Sequence, residues 1–271
     1  MQLKGENGEV SIILVDPQWI EKSGPNVKII DTRRRVDYEA GHIPGAISIP
    51  VTVFVKSIGR LKDAPNPQEF EDLMGKFGIH NESLIVTYDD QWGVYASRLL
   101  WTLDLYGHKD LYLLDRNFSV YKRNKGRVSH SNPEIKKSIY VAKLNAHFAS
   151  SISHISNVLD DTNEIIIDAG ERMDFLNGHI PRATNLPWRL CLGKDRNFLP
   201  KERIKRIFKE HGLSIDNEAN IYCKDGMTSA YIYAALRIFG YEKVKLYSRG
   251  YAEWEEASKP KVAEFQELLN P

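Results

Sequence analysis

The chain has only two cysteines in 271 residues, Cys191 and Cys223. Two are too few for a disulfide framework, so cohesion has to come from a packed core, and reduced thiols in a cytoplasmic protein are the expectation. Neither sign of charge is in excess: 37 Lys and Arg against 36 Asp and Glu give a formal net charge of +1. No global field therefore recruits nucleic acid or an anionic membrane surface. Long hydrophobic runs are missing as well. The opening MQLKGENGEVSIILVD has no basic n-region, and its SIILV stretch is too short for a signal or spanning segment. What is present, 42% hydrophobic and 27% charged residues, fits a soluble globular protein with enough chain for two ordinary domains.

The strongest signal is an internal repeat. VKIIDTRRRVDYEAGHIPGAISIP (27–50) aligns with EIIIDAGERMDFLNGHIPRATNLP (164–187) without a gap. Asp31 falls on Asp168, Tyr38 on Phe175, Gly41-His42-Ile43-Pro44 on Gly178-His179-Ile180-Pro181, and Pro50 on Pro187. The match continues in PQEFEDLMGKFGI (67–79) and PKERIKRIFKEHGL (200–213), each with a proline at its start, apolar residues at helical spacing and a terminal glycine. Short apolar strands, SLIVTYDD and ANIYCKDG, follow and lead into amphipathic helices that end at Gly107 and Gly240. Strands alternating with helices predict an α/β fold: two tandem domains, each a mainly parallel sheet flanked by helices. The expected boundaries are 1–124 for the first domain and 139–271 for the second. The polar, Gly- and Pro-interrupted stretch at 125–138 is the linker between them.

Aligning the strands puts Tyr88 against Tyr222, and so Asp89 against Cys223. If the cysteine served packing alone, an apolar counterpart would be natural; aspartate instead points to a site loop whose chemistry has diverged on a shared scaffold. A residue just past a parallel strand and just before a helix lies where open α/β sheets place ligands. The helix beginning near Thr228 directs its unpaired N–H groups and positive dipole end at that loop, favouring an anion there. Gly226 allows a tight turn, Thr228 and Ser229 offer hydroxyls, Lys224 adds a positive charge and Asp225 removes one.

These residues resemble the tandem-domain rhodaneses, the thiosulfate and 3-mercaptopyruvate sulfurtransferases. The resemblance spans almost the whole chain and rests on the duplicated Asp…Gly-His-Ile-Pro segments, the Cys223-Lys224-Asp225-Gly226-Met227-Thr228-Ser229 loop and RGYAEW (249–254). It implies a catalytically silent first domain and a second domain whose Cys223 takes a sulfane sulfur from a small anionic donor. The resulting persulfide passes its sulfur to cyanide or a thiol, with no metal and no organic cofactor, and with neither nucleic acid nor membrane as partner. The loop residues Lys224 to Ser229 are the implied substrate cradle. Lys224 fits the thiosulfate pattern, Asp225 fits neither pattern, and 3-mercaptopyruvate is the alternative donor. The arginine that follows the second-domain aspartate in this family has Arg172 as its nearest match, displaced from the usual place. Arg249 and the neighbourhood of Trp188 are further candidates for holding the donor.

Two other readings differ in chemistry. A phosphatase of related fold needs an arginine six residues past the cysteine to grip phosphate bidentately, and that position is Ser229. A non-catalytic sulfur-binding module is kept open by Asp225, whose carboxylate beside the thiol opposes thiolate formation. His42, His179, Asp31 and Asp168 are expected to hold turns, Arg33, Arg34 and Arg35 to be solvated or paired, and Cys191 to pack in the core.

Overall fold

A computed structural model of the chain describes residues 12–24, 26–59, 61–160 and 163–263. Residues 1–11, which carry most of the expectation about targeting, and 264–271 at the other end lie outside the described residues. The chain divides into two units: residues up to 56 with 64–145 and 193–198, and residues 57–63 with 146–192 and the chain from 199 onward.

In the first unit, β1 (Ile13–Val15), β2 (Val27–Asp31), β3 (Ile47–Ser48), β6 (Leu84–Tyr88) and β7 (Leu111–Leu114) form a parallel sheet in the order β1-β7-β6-β2-β3. Around it run α1 (Pro17–Lys22), α2 (Arg35–Glu39), α3 (Val51–Phe54), α4 (Pro67–Lys76), α5 (Val94–Leu105) and α6 (Phe118–Arg123). β4 (Lys56–Ile58) and β5 (Leu61–Asp63) pair in a small separate sheet, and residues 57–63 belong to the second unit. The expected linker, 125–138, has no helix or strand and is tied to the first unit: Ser129 and His42 exchange backbone hydrogen bonds, and Ser138 N donates to Gly75 O.

The second unit repeats the plan with β8 (Glu164–Asp168), β9 (Thr184–Asn185), β10 (Glu218–Tyr222) and β11 (Val244–Leu246), parallel in the order β11-β10-β8-β9. Its helices are α7 (Ile152–Val158), α8 (Arg172–Asn177), α9 (Lys201–Glu210), α10 (Met227–Ile238) and α11 (Gly250–Glu256). Ala149 bridges to Leu246 where β1 pairs with β7 in the first unit. α4 and α9 bury the apolar positions that their spacing predicts, Phe70 and Met74 in one, Ile204, Ile207 and Phe208 in the other. α4 begins on a capping box between Asn66 and Glu69 with Pro67 in its first turn.

The repeated Gly-His-Ile-Pro segment does the same structural work twice. His42 stacks on Tyr38 with ring centroids 3.8 Å apart, His179 on Phe175 at 3.6 Å, and each Nδ1 donates to the carbonyl of the aromatic residue, at 2.9 Å. The next backbone N–H, of Ile43 or Ile180, donates to the hydroxyl of Tyr88 or Tyr222. Both histidines are buried turn-holders, as expected. Among the described residues no helix is long and apolar enough to cross a membrane.

Candidate active site

Cys223 is the first residue after β10 and is separated from the twelve-residue α10 by three residues. Gly226 caps that helix in the left-handed region, at φ 77°, which turns the chain within three residues from strand to helix. The thiol is buried, 2% exposed, with Ser229 Oγ donating to Sγ at 3.3 Å. The helix N-terminus supplies the field that the loop sequence implies. A cavity of about 540 Å³ opens beside it, lined by Cys223, Lys224, Asp225 and Thr228, by Asp168, Gly170, Glu171 and Asp174, and by Trp188, Arg189 and Tyr251 among others.

Of the residues expected in the site, Lys224, Asp225 and Thr228 line the cavity, while Gly226, Met227 and Ser229 form the turn and the buried first helical turn beneath it. Arg172 and Arg249 are not among the lining residues. Arg172 opens α8, exposed, with its guanidinium over the Phe175 ring. Arg249 is held by two carboxylates, Nε on Asp63 at 2.7 Å and one terminal nitrogen on Glu253 at 2.9 Å. The arginine that does line the cavity is Arg189, next to Trp188. Its Nε and the Trp188 indole N–H both donate to Glu171.

Asp225 is reconciled with the thiol by a residue far away in sequence. Its Oδ1 accepts from Met227 N at 3.3 Å and faces Sγ at 4.0 Å, while Oδ2 accepts from Lys62 Nζ at 2.5 Å. Lys62 lies on β5, which is further held to this unit by Asp63 accepting from Ser248 and Arg249. The ammonium thus offsets the negative charge that Asp225 places beside Sγ. Lys62→Met is expected to slow alkylation of Cys223 by iodoacetamide about tenfold, and Lys62→Met with Asp225→Asn to recover most of that loss. Wild-type labelling in Lys62→Met alone would remove Lys62 from this role.

The first unit shows what the same scaffold holds when the cysteine is replaced. Asp89 follows β6 as Cys223 follows β10, and it is 1% exposed. Its carboxylate accepts four backbone N–H bonds, from Gln91 and Gly93 at 2.8 Å and from Tyr95 and Ala96 at 2.8 and 3.0 Å. The loop and the first turn of α5 thus close around an acidic side chain. Burial lifts that carboxyl to about 6 against the pull of these bonds. The loop after Asp89 is one residue longer than the loop after Cys223, and both helices that follow span twelve residues.

Asp168 ends β8 beside the cysteine strand, in register with Tyr222. It accepts from Gly170 N at 2.7 Å and from the Tyr222 hydroxyl, and burial raises its carboxyl to about 6. Asp31 makes the equivalent bonds to Arg33 N and Tyr88, and it also carries the Arg33 guanidinium. Arg33 is therefore paired and buried, while Arg34 and Arg35 pair with Asp37 and Glu39 at the surface. Cys191 is fully buried, and its thiol is pushed up to about 12, as suits a packing residue.

A model of the rhodanese-like domain matches residues 17–124 and 151–257. A thiosulfate sulfurtransferase of Azotobacter vinelandii is 25% identical, over 89% of this chain and 93% of that protein. The sulfur carrier protein TtuD of Thermus thermophilus is 24% identical, over 89% and 93%. Among solved structures, the 3-mercaptopyruvate sulfurtransferase SseA of Escherichia coli has the same fold, with a TM-score of 0.81 at 24% identity over 89% of this chain and 99% of that one. With two matched copies covering most of its length, the chain belongs to the rhodanese-like domain family.

Proposed function

We propose that the protein is a sulfurtransferase that carries sulfane sulfur as a persulfide on Cys223, with thiosulfate as donor and cyanide or a thiol as acceptor, in the reducing cytoplasm. One observation carries the reading. Where the first unit closes a turn and a helix N-terminus around the Asp89 carboxylate, the second presents a thiol at the same point of the scaffold, with a cavity beside it. An environment shaped for a negative side chain suits a thiolate nucleophile and the persulfide anion that follows it.

The Cys223 thiolate attacks the outer sulfur of thiosulfate; the S–S bond of the donor breaks with its electron pair, and sulfite leaves. The acceptor then attacks the outer sulfur of the persulfide, and Cys223 departs as thiolate. Both steps are nucleophilic displacements at a sulfane sulfur, so neither asks for a metal or an organic cofactor. Lys224 and Arg189, the two cations lining the cavity, are the groups available to an anionic donor. The relatives named thiosulfate sulfurtransferase and sulfur carrier protein support this chemistry.

Incubation with thiosulfate should add one sulfur, about 32 Da, to the intact protein and release stoichiometric sulfite. An adduct from 3-mercaptopyruvate but not from thiosulfate would transfer the donor assignment. No adduct from either would leave a sulfur-binding module rather than an enzyme.

A further inference from the structure

The first unit contains, in place, a side chain that the second unit lacks. Arg33 is 4% exposed. Its Nε donates to both carboxylate oxygens of Asp31 at 3.0 Å, and one terminal nitrogen reaches Asp31 at 2.6 Å and the Gly41 carbonyl at 2.8 Å. The guanidinium carbon sits 3.9 Å from the centre of the Phe118 ring. The seat is thus a carboxylate, a carbonyl and an aromatic face, the three groups that suit a planar cation.

The repeat gives the counterpart of each wall. Asp31 becomes Asp168, Gly41 becomes Gly178 and Phe118 becomes Tyr251, while Arg33 itself becomes Gly170. All four of those second-unit residues line the cavity that holds Cys223. The carboxylate and the aromatic ring are kept, the ring now bearing a hydroxyl that lies against Gly178, and the arginine side chain is gone. Two further cations of the first unit are inverted at the same cavity, Arg34 to Glu171 and Lys122 to Glu255.

Two groups there lack the partner that a cation would be. The Tyr251 hydroxyl is buried with no hydrogen-bond partner among the described residues. Asp168, 5% exposed, is bonded to Gly170 N and the Tyr222 hydroxyl and, among the described residues, pairs with no cationic side chain.

We infer that this vacated arginine seat receives the cationic group of the sulfur acceptor, a small thiol bearing an ammonium or guanidinium. Asp168 and the Tyr251 ring hold the charge, and the acceptor's thiolate faces Cys223. The inference rests on the persulfide reading above for its chemistry and on the first unit for its geometry. Asp168 pairs with Tyr222 across adjacent strands, and Cys223 is the next residue. Strands lie about 4.8 Å apart, so a two-carbon spacer between cation and sulfur spans the distance. The thiolate attacks the outer sulfur of the persulfide, the S–S bond breaks with its electrons on Cys223 Sγ, and the product leaves as a cationic alkyl persulfide.

The test compares discharge of the Cys223 persulfide by 2-aminoethanethiol, 2-mercaptoethanol and 3-mercaptopropionate, with rates expressed per thiolate. The cationic thiol should exceed the neutral one on the order of tenfold, with the anionic thiol slowest. Gly170→Arg refills the seat from the position that already carries an arginine in the first unit, and it should bring the cation-to-neutral ratio to about one. Asp168→Asn, which removes the charge and keeps the acceptor for Gly170 N, should do the same and covers the case in which Gly170→Arg does not fold. A second readout needs no sulfur chemistry: ethylguanidinium should bind the Cys223→Ser protein by saturation-transfer NMR and lose binding when Gly170→Arg is added. Equal rates per thiolate in the wild type, or a preference untouched by both variants, overturns the inference. Loss of the persulfide with ethylguanidinium binding intact overturns the reading of function and leaves the seat.

Discussion

Cys223→Ser is expected to lower sulfur transfer by a factor on the order of 10⁴ or more and to abolish the sulfur adduct, while Cys191→Ser keeps both. The contrast follows from where the two thiols sit. Cys223 ends a parallel strand at the N-terminus of α10, bonded by Ser229 and open to a cavity of about 540 Å³. A serine there is nearly isosteric, so the fold and cavity remain. An alkoxide is far less accessible than a thiolate, and oxygen forms no comparably stable link to sulfane sulfur. Cys191 closes a short helical turn at Trp188–Cys191, has no exposed surface, and its burial holds the thiol protonated. Intact-mass spectrometry after thiosulfate treatment, with sulfite release in the same sample, checks both variants. Transfer that survives in Cys223→Ser and fails in Cys191→Ser would reverse the assignment.

Much of the fold was legible because the chain is written twice. Apolar runs at strand spacing, helical stripes such as Ile204, Ile207 and Phe208, and two ungapped Asp…Gly-His-Ile-Pro segments each constrain local structure, and duplication shows which positions the scaffold requires. Asp89 opposite Cys223 marked the site loop for the same reason. What remained hidden depends on contacts between distant parts of the chain. Lys62, 163 residues before its partner Asp225, sits on a short hairpin with no pattern tying it to the cysteine loop. Arg172 and Arg249 look available as letters, yet the first lies outside the cavity lining and the second is bound to Asp63 and Glu253. The exchange of Arg33 for Gly170 is visible in the alignment, but only the structure shows that the first-unit guanidinium is seated on Asp31 and that the glycine lines the cavity holding Cys223.

Gly250→Ala should destabilise the second unit by about 2–4 kcal/mol and depress sulfur transfer together with it. Gly250 sits at φ +59°, where an added Cβ costs about 1 kcal/mol from backbone strain alone. The larger cost is steric. A Cβ there would lie 2.1 Å from the Cys223 carbonyl oxygen and 3.0 Å from that of Lys224. Those carbonyls accept from the next two residues, Tyr251 N at 2.8 Å and Ala252 N at 2.9 Å, so they cannot move away from Gly250 without breaking the bonds that anchor the cysteine loop. The first unit needs no glycine here. Asn117 takes the place with φ −70°, and Phe118 N still reaches Asp89 O, across a loop one residue longer. Gly212→Ala is the matched control, because Gly212 has φ +81° with nothing within 4 Å of an added Cβ. It should cost only the strain, about 1 kcal/mol, and leave sulfur transfer intact. Thermal unfolding should place the Gly250→Ala midpoint roughly 10 °C below wild type and clearly below Gly212→Ala. Equal shifts in the two variants, with sulfur transfer unaffected in both, would mean that the close approach of Gly250 to Cys223 plays no part in holding the thiol at the strand end.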